Sequence, residues 1–522
     1  MNREGDRMSQ ETTRSSRVRR YHAASWDEGV VYELGAPGRR GVIPPTSWAP
    51  ADDGPTFAEG LRRDGVADLP ELAEYEVRRH FTHLAQQTLG MMGISLFGTC
   101  TMKHSPTVNE QLAARPEVAA VHPRQDASTM QGLLGIVHDL EAELCNLSGM
   151  SAFSFQPGGG ADAAYLNMVI TRAHFEAKGE LGQRRQVITT AQAHPCNPAT
   201  AKAAGFEVVT LPVEEDGYPS LEAFRSVIGP QTAAIVLNNP DDMGVYNPFI
   251  TEVIDAVHAE GGLAFYDSAN FNGVMTRLRA RDLGFDACMY MLHKTFGAPK
   301  GGNGPSVGAY GCSDELAPFL PGPRVERHDD ACVFIEPEQS VGRVREFFGN
   351  VPQLLKAYSW TRAMGTDGLR EAADLSVLAN NYMEHRLMAI PGVTMSFAGK
   401  ALPRLEMTRY SLEEYAAETG LSTVDVQNRM TDFGIDAYWL AHEPWIVPEP
   451  FTPEAGEMWS KEDLDEWIDV LEHVLEEGRN DPELVRTAPH RQVVAQIDGS
   501  GLDDPERWAT TWAAYRRKHA TS

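Results

Sequence analysis

Short apolar and β-branched runs alternate with amphipathic stretches through the middle of the chain. The runs are Arg185-Gln-Val-Ile-Thr-Thr190, Glu207-Val-Val-Thr-Leu211, Ala233-Ala-Ile-Val-Leu-Asn238, Gly262-Leu-Ala-Phe-Tyr-Asp267 and Ala287-Cys-Met-Tyr-Met-Leu292. Between most of them lie helical patterns at Ala199 to Ala204, Ser220 to Ile228 and Thr251 to Glu260. Strand and helix repeated in this way predict an α/β fold, a mostly parallel sheet with helices on both faces. Such sheets bind ligands beyond the carboxyl ends of their strands, so the residues just after each run are the first to inspect.

On either side the pattern is helical. Leu133, Leu134, Val137, Leu140, Leu144 and Leu147 share one face of a helix, and a less regular helix begins near Leu72. Beyond the alternation come a helical segment around Leu354 to Leu387, short runs at Val393 to Met395 and Leu405 to Arg409, and two more helix starts. Ser422-Thr-Val-Asp425 and Ser460-Lys-Glu-Asp463 mark those starts, with Ser460 an N-cap. The expected organisation is an N-terminal arm over 1–70 with a frayed start, a large domain over 71–335, a smaller α+β domain over 336–480 and a peripheral tail over 481–522.

Composition narrows the classes. Of the 522 residues 42% are hydrophobic and 23% charged, which is the balance of a globular chain rather than a disordered one. Asp and Glu outnumber Lys and Arg by 73 to 46, and a net charge of -27 repels phosphate backbones and anionic membranes, so nucleic acid is not the expected partner. No apolar run reaches the roughly 18 residues of a membrane span. The six Arg among the first twenty residues surround no apolar core, so a basic tail is expected there rather than a leader. Six scattered Cys without C-x-x-C spacing fit reduced thiols and a cytoplasmic enzyme. His80, His83, His104 and His122 lack metal-ligand spacing, so no metal is expected.

The chemistry gathers at the strand ends. Lys294, in Leu292-His293-Lys294-Thr295-Phe296, follows an apolar strand and precedes the Gly-rich Gly301-Gly-Asn-Gly-Pro305. Partial burial there suits a lysine that forms a Schiff base with pyridoxal phosphate. Asp267, in Tyr266-Asp267-Ser268-Ala269-Asn270, ends the preceding strand, and a carboxylate is what keeps the pyridine nitrogen of that cofactor protonated. Gly158, Gly159, Gly160 and Ala161 lead into a helix, where free backbone N–H groups make a phosphate cup. His194 is placed to stack on the ring, and Asn239 to hydrogen-bond its phenolic oxygen. His293 and Ala269, flanking Lys294 and Asp267, complete the expected cofactor set.

In these segments the chain resembles the catalytic half of glycine decarboxylase, the P-protein of the glycine cleavage system, and within it subunit 2 of the two-chain bacterial form. The resemblance is carried by Glu33-Leu-Gly-Ala-Pro-Gly-Arg-Arg-Gly41, Gly98-Thr-Cys-Thr-Met-Lys103, Gln156-Pro157, Asn197-Pro-Ala199, Tyr266-Asp267, His293-Lys-Thr-Phe296, Gly342-Arg-Val-Arg345 with Gly349-Asn350, and Ser460-Lys-Glu-Asp-Leu464. It implies a fold-type-I pyridoxal-phosphate enzyme with Lys294 bonded to the cofactor, His194 on the ring face and Asp267 at the pyridine nitrogen. It also implies decarboxylation of glycine, a lipoyl carrier (the H-protein) as acceptor, and a paralogous first subunit as partner, with a homodimer as the alternative.

The chain departs from that pattern on the substrate side. Gly158, Gly159, Asp162, Ala163 and Ala164 stand where the family has a loop carrying His and Glu. Pro195-Cys196 replaces a Gly-Thr, Ile94-Ser95 an aromatic pair, His104 a Tyr, Arg124 an aromatic, and Asn303 enters the second Gly-rich loop. Ser95, His104, Arg124 and Cys196 are therefore candidate substrate residues, with the Arg124 guanidinium suited to a second carboxylate. These changes open an alternative: a divergent decarboxylase, lyase or transaminase for another amino acid. A scaffold subunit without catalysis would have no need of Lys294 and Asp267.

Overall fold

In the computed structural model of the chain the five apolar runs become β2 (Gln186–Thr190), β3 (Glu207–Leu211), β4 (Thr232–Leu237), β5 (Leu263–Ser268) and β6 (Ala287–Met291). Two further strands, β1 (Ala152–Ser154) and β7 (Gly308–Cys312), complete a seven-stranded sheet of order β1-β7-β6-β5-β4-β2-β3. All neighbours from β3 to β6 pair parallel, while β7 runs antiparallel to both β6 and β1. The structure describes residues 18, 21, 23–26, 28–41, 60–61, 68–88, 93–96, 103–299, 306–345, 347–398, 404–436, 439, 441, 445–496, 499–502 and 504–519.

Every residue of β4, β5, β6 and β7 is buried, which is why these strands read as continuous apolar runs rather than alternating ones. The alternation survives in which face each side chain joins. Ile188, Ile235 and Leu237 pack with Leu134, Leu140 and Leu144 of α1 (Gln131–Ser148). Val187, Ala234 and Val236 pack with Leu166, Met168 and Ile170 of α2 (Gly160–Ala177) on the other side. The edge strand β1 escapes periodicity because it is only three residues long. It is fixed by shape: Phe153 lies opposite Gly311 of β7, and a Cβ on Gly311 would stand 2.3 Å from the Phe153 ring.

Crossovers are made by α3 (Cys196–Ala203), α4 (Leu221–Val227) and α5 (Ile250–Ala259). A long helix, α6 (Val351–Leu387), is broken at Gly365, whose φ of 62° lies outside helical geometry. By packing the chain divides into two units that are not contiguous in sequence. One holds 95–424 and 438–472, the other 1–94, 425–437 and 473–522. The boundary expected near residue 335 is thus crossed. Trp360 of α6 packs edge-on against Phe296, centroids 6.2 Å apart, which ties the helix to the sheet-bearing unit. That unit also includes a small sheet of Thr394–Met395, Tyr410–Ser411 and Pro450–Phe451. In the other unit the Arg429 guanidinium is buried between Asp432 (2.9 Å) and Glu477 (2.8 Å), and His80 Nδ1 meets Glu28 at 2.8 Å.

Two local features generate tests. The turn after β4 is held by Asp241, whose Oδ1 accepts the N–H groups of Met243 (2.9 Å) and Val245 (3.0 Å). Gly244 completes it at φ 77°, and a Cβ there would stand 2.1 Å from the Met407 carbonyl. Gly244→Ala should therefore destabilise the fold by more than about 1 kcal/mol, read by thermal denaturation. Glu406 is 1% exposed, neither carboxyl oxygen has a hydrogen-bond partner, and burial pushes its pKa up to about 7. The folded chain keeps this proton to higher pH than the unfolded one, so this group makes stability fall as pH rises from about 4.5 to about 7. Denaturant titrations between those limits should show a shallower decline for Glu406→Gln, which is neutral throughout.

Candidate active site

The carboxyl ends of β2, β4, β5 and β6 converge on one cavity of about 370 Å³. Lys294 and His293 follow β6, Asp267 and Ala269 come from the end of β5, and His194 and Cys196 follow β2. Gly159, Gly160 and Ala161 at the start of α2 form the opposite wall. The structure thus brings these nine candidates from the sequence together around one space.

Asp267 is 6% exposed and doubly held: Asn197 Nδ2 donates to Oδ2 at 2.9 Å and the Ala269 N–H to Oδ1 at 3.1 Å. Two N–H donors suit a carboxylate and fix its plane. His194 Nδ1 accepts the Cys196 N–H at 3.1 Å, which in the neutral ring leaves the proton on Nε2. His293 Nδ1 donates to the Val307 carbonyl at 3.1 Å. Lys294 is 8% exposed, and its backbone N–H bonds the Met291 carbonyl at 2.9 Å, which closes the turn after β6. Burial, with the Asp267 carboxylate next in size, pushes the Cys196 thiol far up, so it is no thiolate nucleophile.

The cavity fits pyridoxal phosphate. The first N–H groups of α2 have no carbonyl of their own helix to serve, and the helix dipole adds partial positive charge there. A Cβ on Gly159 or Gly160 would find only Ser306 Oγ at 4.0 Å or Met291 Sδ at 3.9 Å, so the missing side chains leave open room for an anion to reach the backbone. Arg345 lines the same end and pairs with Asp162 at 3.3 Å, while Asp162 Oδ2 accepts the Gly158 N–H at 2.9 Å. Ser306, which bonds the Gly158 carbonyl, pins the glycine loop to the strand β7 side. Cation and N–H donors thus gather at the glycine end and Asp267 lies in another wall, as a phosphate-bearing pyridine requires.

Four residues singled out from the sequence lie elsewhere. Asn239 is not a wall: its amide donates to the Asn247 carbonyl at 3.1 Å and accepts the Asn247 N–H at 2.8 Å. Successive residues leaving a strand point to opposite sides, and it is Asn238 that lines the cavity. Arg124 is exposed, stacks over Phe347 at 5.7 Å and borders an open cleft with Arg343 and Arg345. His104 is exposed, its N–H directed at Met458 Sδ, and Ser95 is half-buried away from the cavity walls. The second Gly-rich loop over 301–305, and Cys100, lie outside the described residues. Lys103 of the Cys-Thr-Met-Lys segment is buried on Glu457 at 2.7 Å and over the Trp360 ring at 4.5 Å.

Other functional side chains carried little sequence signal. Asn197 sits three residues after His194, which marks it as polar at a helix start but not as the clamp on Asp267. Asp242 and Ser306 had no motif of their own, and both line the cavity. A neighbouring, more apolar cavity of about 380 Å³ shares Gly158, Ser306 and Arg345 with it. Among the described residues no group of His, Cys, Asp and Glu could hold a metal ion, and no helix is long and apolar enough to cross a membrane.

Comparison with known proteins points to the same segments. A family model described as aminotransferase class-V matches residues 155–329. The chain is 38% identical over 500 residues, 95% of its length and 98% of the relative's, to a Pyrococcus abyssi protein named "Probable glycine dehydrogenase (decarboxylating) subunit 2". A Listeria innocua protein of the same name is 37% identical over 472 residues, 90% of this chain and 95% of that one. Among solved structures the fold is similar to a glycine decarboxylase (P-protein) in inhibitor-bound form, TM-score 0.66 at 22% identity, covering 78% of this chain and 91% of that one. A NifS-like protein matches at TM-score 0.58 and 17% identity, covering 74% of this chain and all of that one.

The Asn197 clamp makes a direct test. Asn197→Ala removes a hydrogen bond to a charged group, a loss of about 1.5–3 kcal/mol. Cofactor affinity should fall about ten- to hundredfold, measured by titrating apoprotein with pyridoxal phosphate and following absorbance.

Proposed function

We propose a function from one premise: the chain belongs to the glycine dehydrogenase (decarboxylating) subunit 2 family, whose members it matches at 38% identity over 95% of its length. It is a fold-type-I pyridoxal-phosphate enzyme, an amino-acid decarboxylase of the glycine decarboxylase type. The observation that carries this reading is the convergence of Lys294, Asp267 and the Gly159–Ala161 helix start on a single cavity.

Bound pyridoxal phosphate supplies a ring that takes up the electron pair left when a Cα–carboxylate bond breaks. The protein's part is to hold, orient and enclose. Lys294 Nζ would hold the cofactor's aldehyde carbon and, when not bonded to it, would hold or move a proton at Nζ. Asp267 would fix the pyridine nitrogen, and its two N–H bonds keep the carboxylate from turning away. The His194 ring would cover one face. The glycine N–H groups and Arg345 would take the phosphate, anchoring the end of the cofactor farthest from the chemistry. Burial of Lys294 and Asp267 excludes water, which strengthens each of these contacts.

The proposed substrate is glycine, with a lipoyl carrier as acceptor. The "subunit 2" in the relatives' name supports a partner subunit, which we take to be a paralogous first subunit. A second reading, another amino acid in the same site, draws on Cys196: a half-buried thiol whose pKa is raised stands in the cavity wall where the family resemblance implies a hydroxyl.

Holoenzyme should release labelled CO2 from carboxyl-labelled glycine when the first subunit and lipoylated carrier are supplied. No release, with an absorbance response to a different amino acid in a panel, would replace glycine by that substrate. Lys294→Ala should abolish turnover and remove the band at roughly 420 nm that a lysine-bonded cofactor gives.

A further inference from the structure

Three cavities of the sheet-bearing unit meet at one side chain. Arg345 lines the cofactor cavity, the neighbouring apolar cavity and an open cleft of about 320 Å³. Arg124, Arg343, Val344 and Phe347 supply the rest of that cleft, so three of its five lining residues are guanidinium cations. The function proposed above uses only Arg345 of the three.

The three charges are unevenly offset. Arg345 pairs with Asp162 at 3.3 Å, and Arg343 lies 3.9 Å from Glu336 while its Nε donates to the Gly322 carbonyl at 3.3 Å. Arg124 has no acid within ion-pair reach among the described residues. Asp126, two residues on, is engaged instead by the Ser128 N–H at 2.9 Å and hydroxyl at 2.6 Å. The Arg124 guanidinium lies 5.7 Å from the centre of the Phe347 ring, a contact that keeps the cation in place without neutralising it. All three side chains are open to solvent, where cations hold an anion weakly but extend a field over a Debye length, about 8 Å at physiological ionic strength. On a chain of net charge -27 the rest of the surface repels an approaching anion, and this cleft attracts it. Glycine carries one charge of each sign at neutral pH and feels little net pull, whereas a phosphate monoester carries about -1.5 to -2.

We propose that the cleft of Arg124, Arg343 and Arg345 is a capture site for a phosphate-bearing anion, which draws the cofactor toward the cavity and delivers its phosphate to Arg345 and the glycine N–H groups. The proposal rests on the pyridoxal-phosphate reading of the cavity. Arg345 belongs to both spaces, so capture and seating share one cation. Arg124 and Arg343 are not walls of the cofactor cavity and act on the approach alone. One unit charge about 8 Å from a dianion in water speeds its approach about fourfold at an ionic strength of about 10 mM and about twofold at about 0.15 M.

The test is stopped-flow mixing of apoprotein with pyridoxal phosphate in the second-order range, followed by absorbance at several salt concentrations. Arg124→Gln should lower the association rate about fourfold at low salt and about twofold near physiological ionic strength. Arg124→Glu, a change of two charges, should lower it about fifteenfold at low salt, and Arg124→Lys should keep the wild-type rate. Pyridoxal, which lacks the phosphate, should associate with every variant at the wild-type rate. Arg343→Gln repeats the measurement from a second position and stands in if an Arg124 variant does not fold. An unchanged rate in Arg124→Glu, a slowing that salt does not abolish, or an equal slowing of pyridoxal would each overturn the proposal. Variants that keep the cofactor rate and weaken only carrier-dependent turnover would also overturn it and make the cleft a dock for an acidic protein. Wild type that binds no pyridoxal phosphate at all would refute the cofactor reading instead, which separates the two failures.

Discussion

Parallel pairing of β2, β4, β5 and β6 is the constraint on which the site depends. A parallel neighbour can be reached only by a crossover, and each crossover helix returns the chain to the edge it left. His194, Asn238, Asp267 and Lys294 span a hundred residues of sequence, yet all stand at or just beyond carboxyl ends on the same edge. Burial of both sheet faces, by α1 and α5 on one side and α2 on the other, leaves that edge as the place where polar side chains can meet.

Charge in the site is arranged against the character of the whole chain. A net charge of -27 describes the molecule at large, whereas the glycine end of the cavity combines a helix N-terminus with Arg345. Asp162 is paired with Arg345 at that end, and the other two aspartates of the lining, Asp242 and Asp267, have different surroundings. Asn197 and the Ala269 N–H surround Asp267 with donors, while Asp242 has a single donor and a sealed oxygen. Hydrogen-bond supply, more than residue type, sets the surroundings of these two aspartates apart.

How much of the site is legible in the sequence depends on how each residue is specified. Lys294 and Asp267 are readable because each ends an apolar strand, and a charged residue there has few roles other than chemistry. The glycine loop is readable from its place before a helix. Asn239 misleads because a strand's last residues alternate in direction, and the turn beyond them decides which amide faces inward. Arg124 stands out by residue type alone, and packing places it on Phe347 beside an open cleft. A division near residue 335 is suggested by a change of pattern, but Trp360 packing against Phe296 joins α6 to the large sheet.

The sequence by itself determined the parallel α/β architecture, through the periodicity of buried strands and amphipathic crossovers, and the cofactor chemistry, through a lysine and an aspartate at consecutive strand ends. Those are local properties, written in spacing and residue type. Only the tertiary structure decided that Asn197 clamps Asp267, that Asn238 rather than Asn239 faces the cavity, and that Asp242 joins it. These depend on side-chain direction and on contacts between segments 70 or more residues apart, or on the course of a turn, and hydrophobic periodicity carries no information about either.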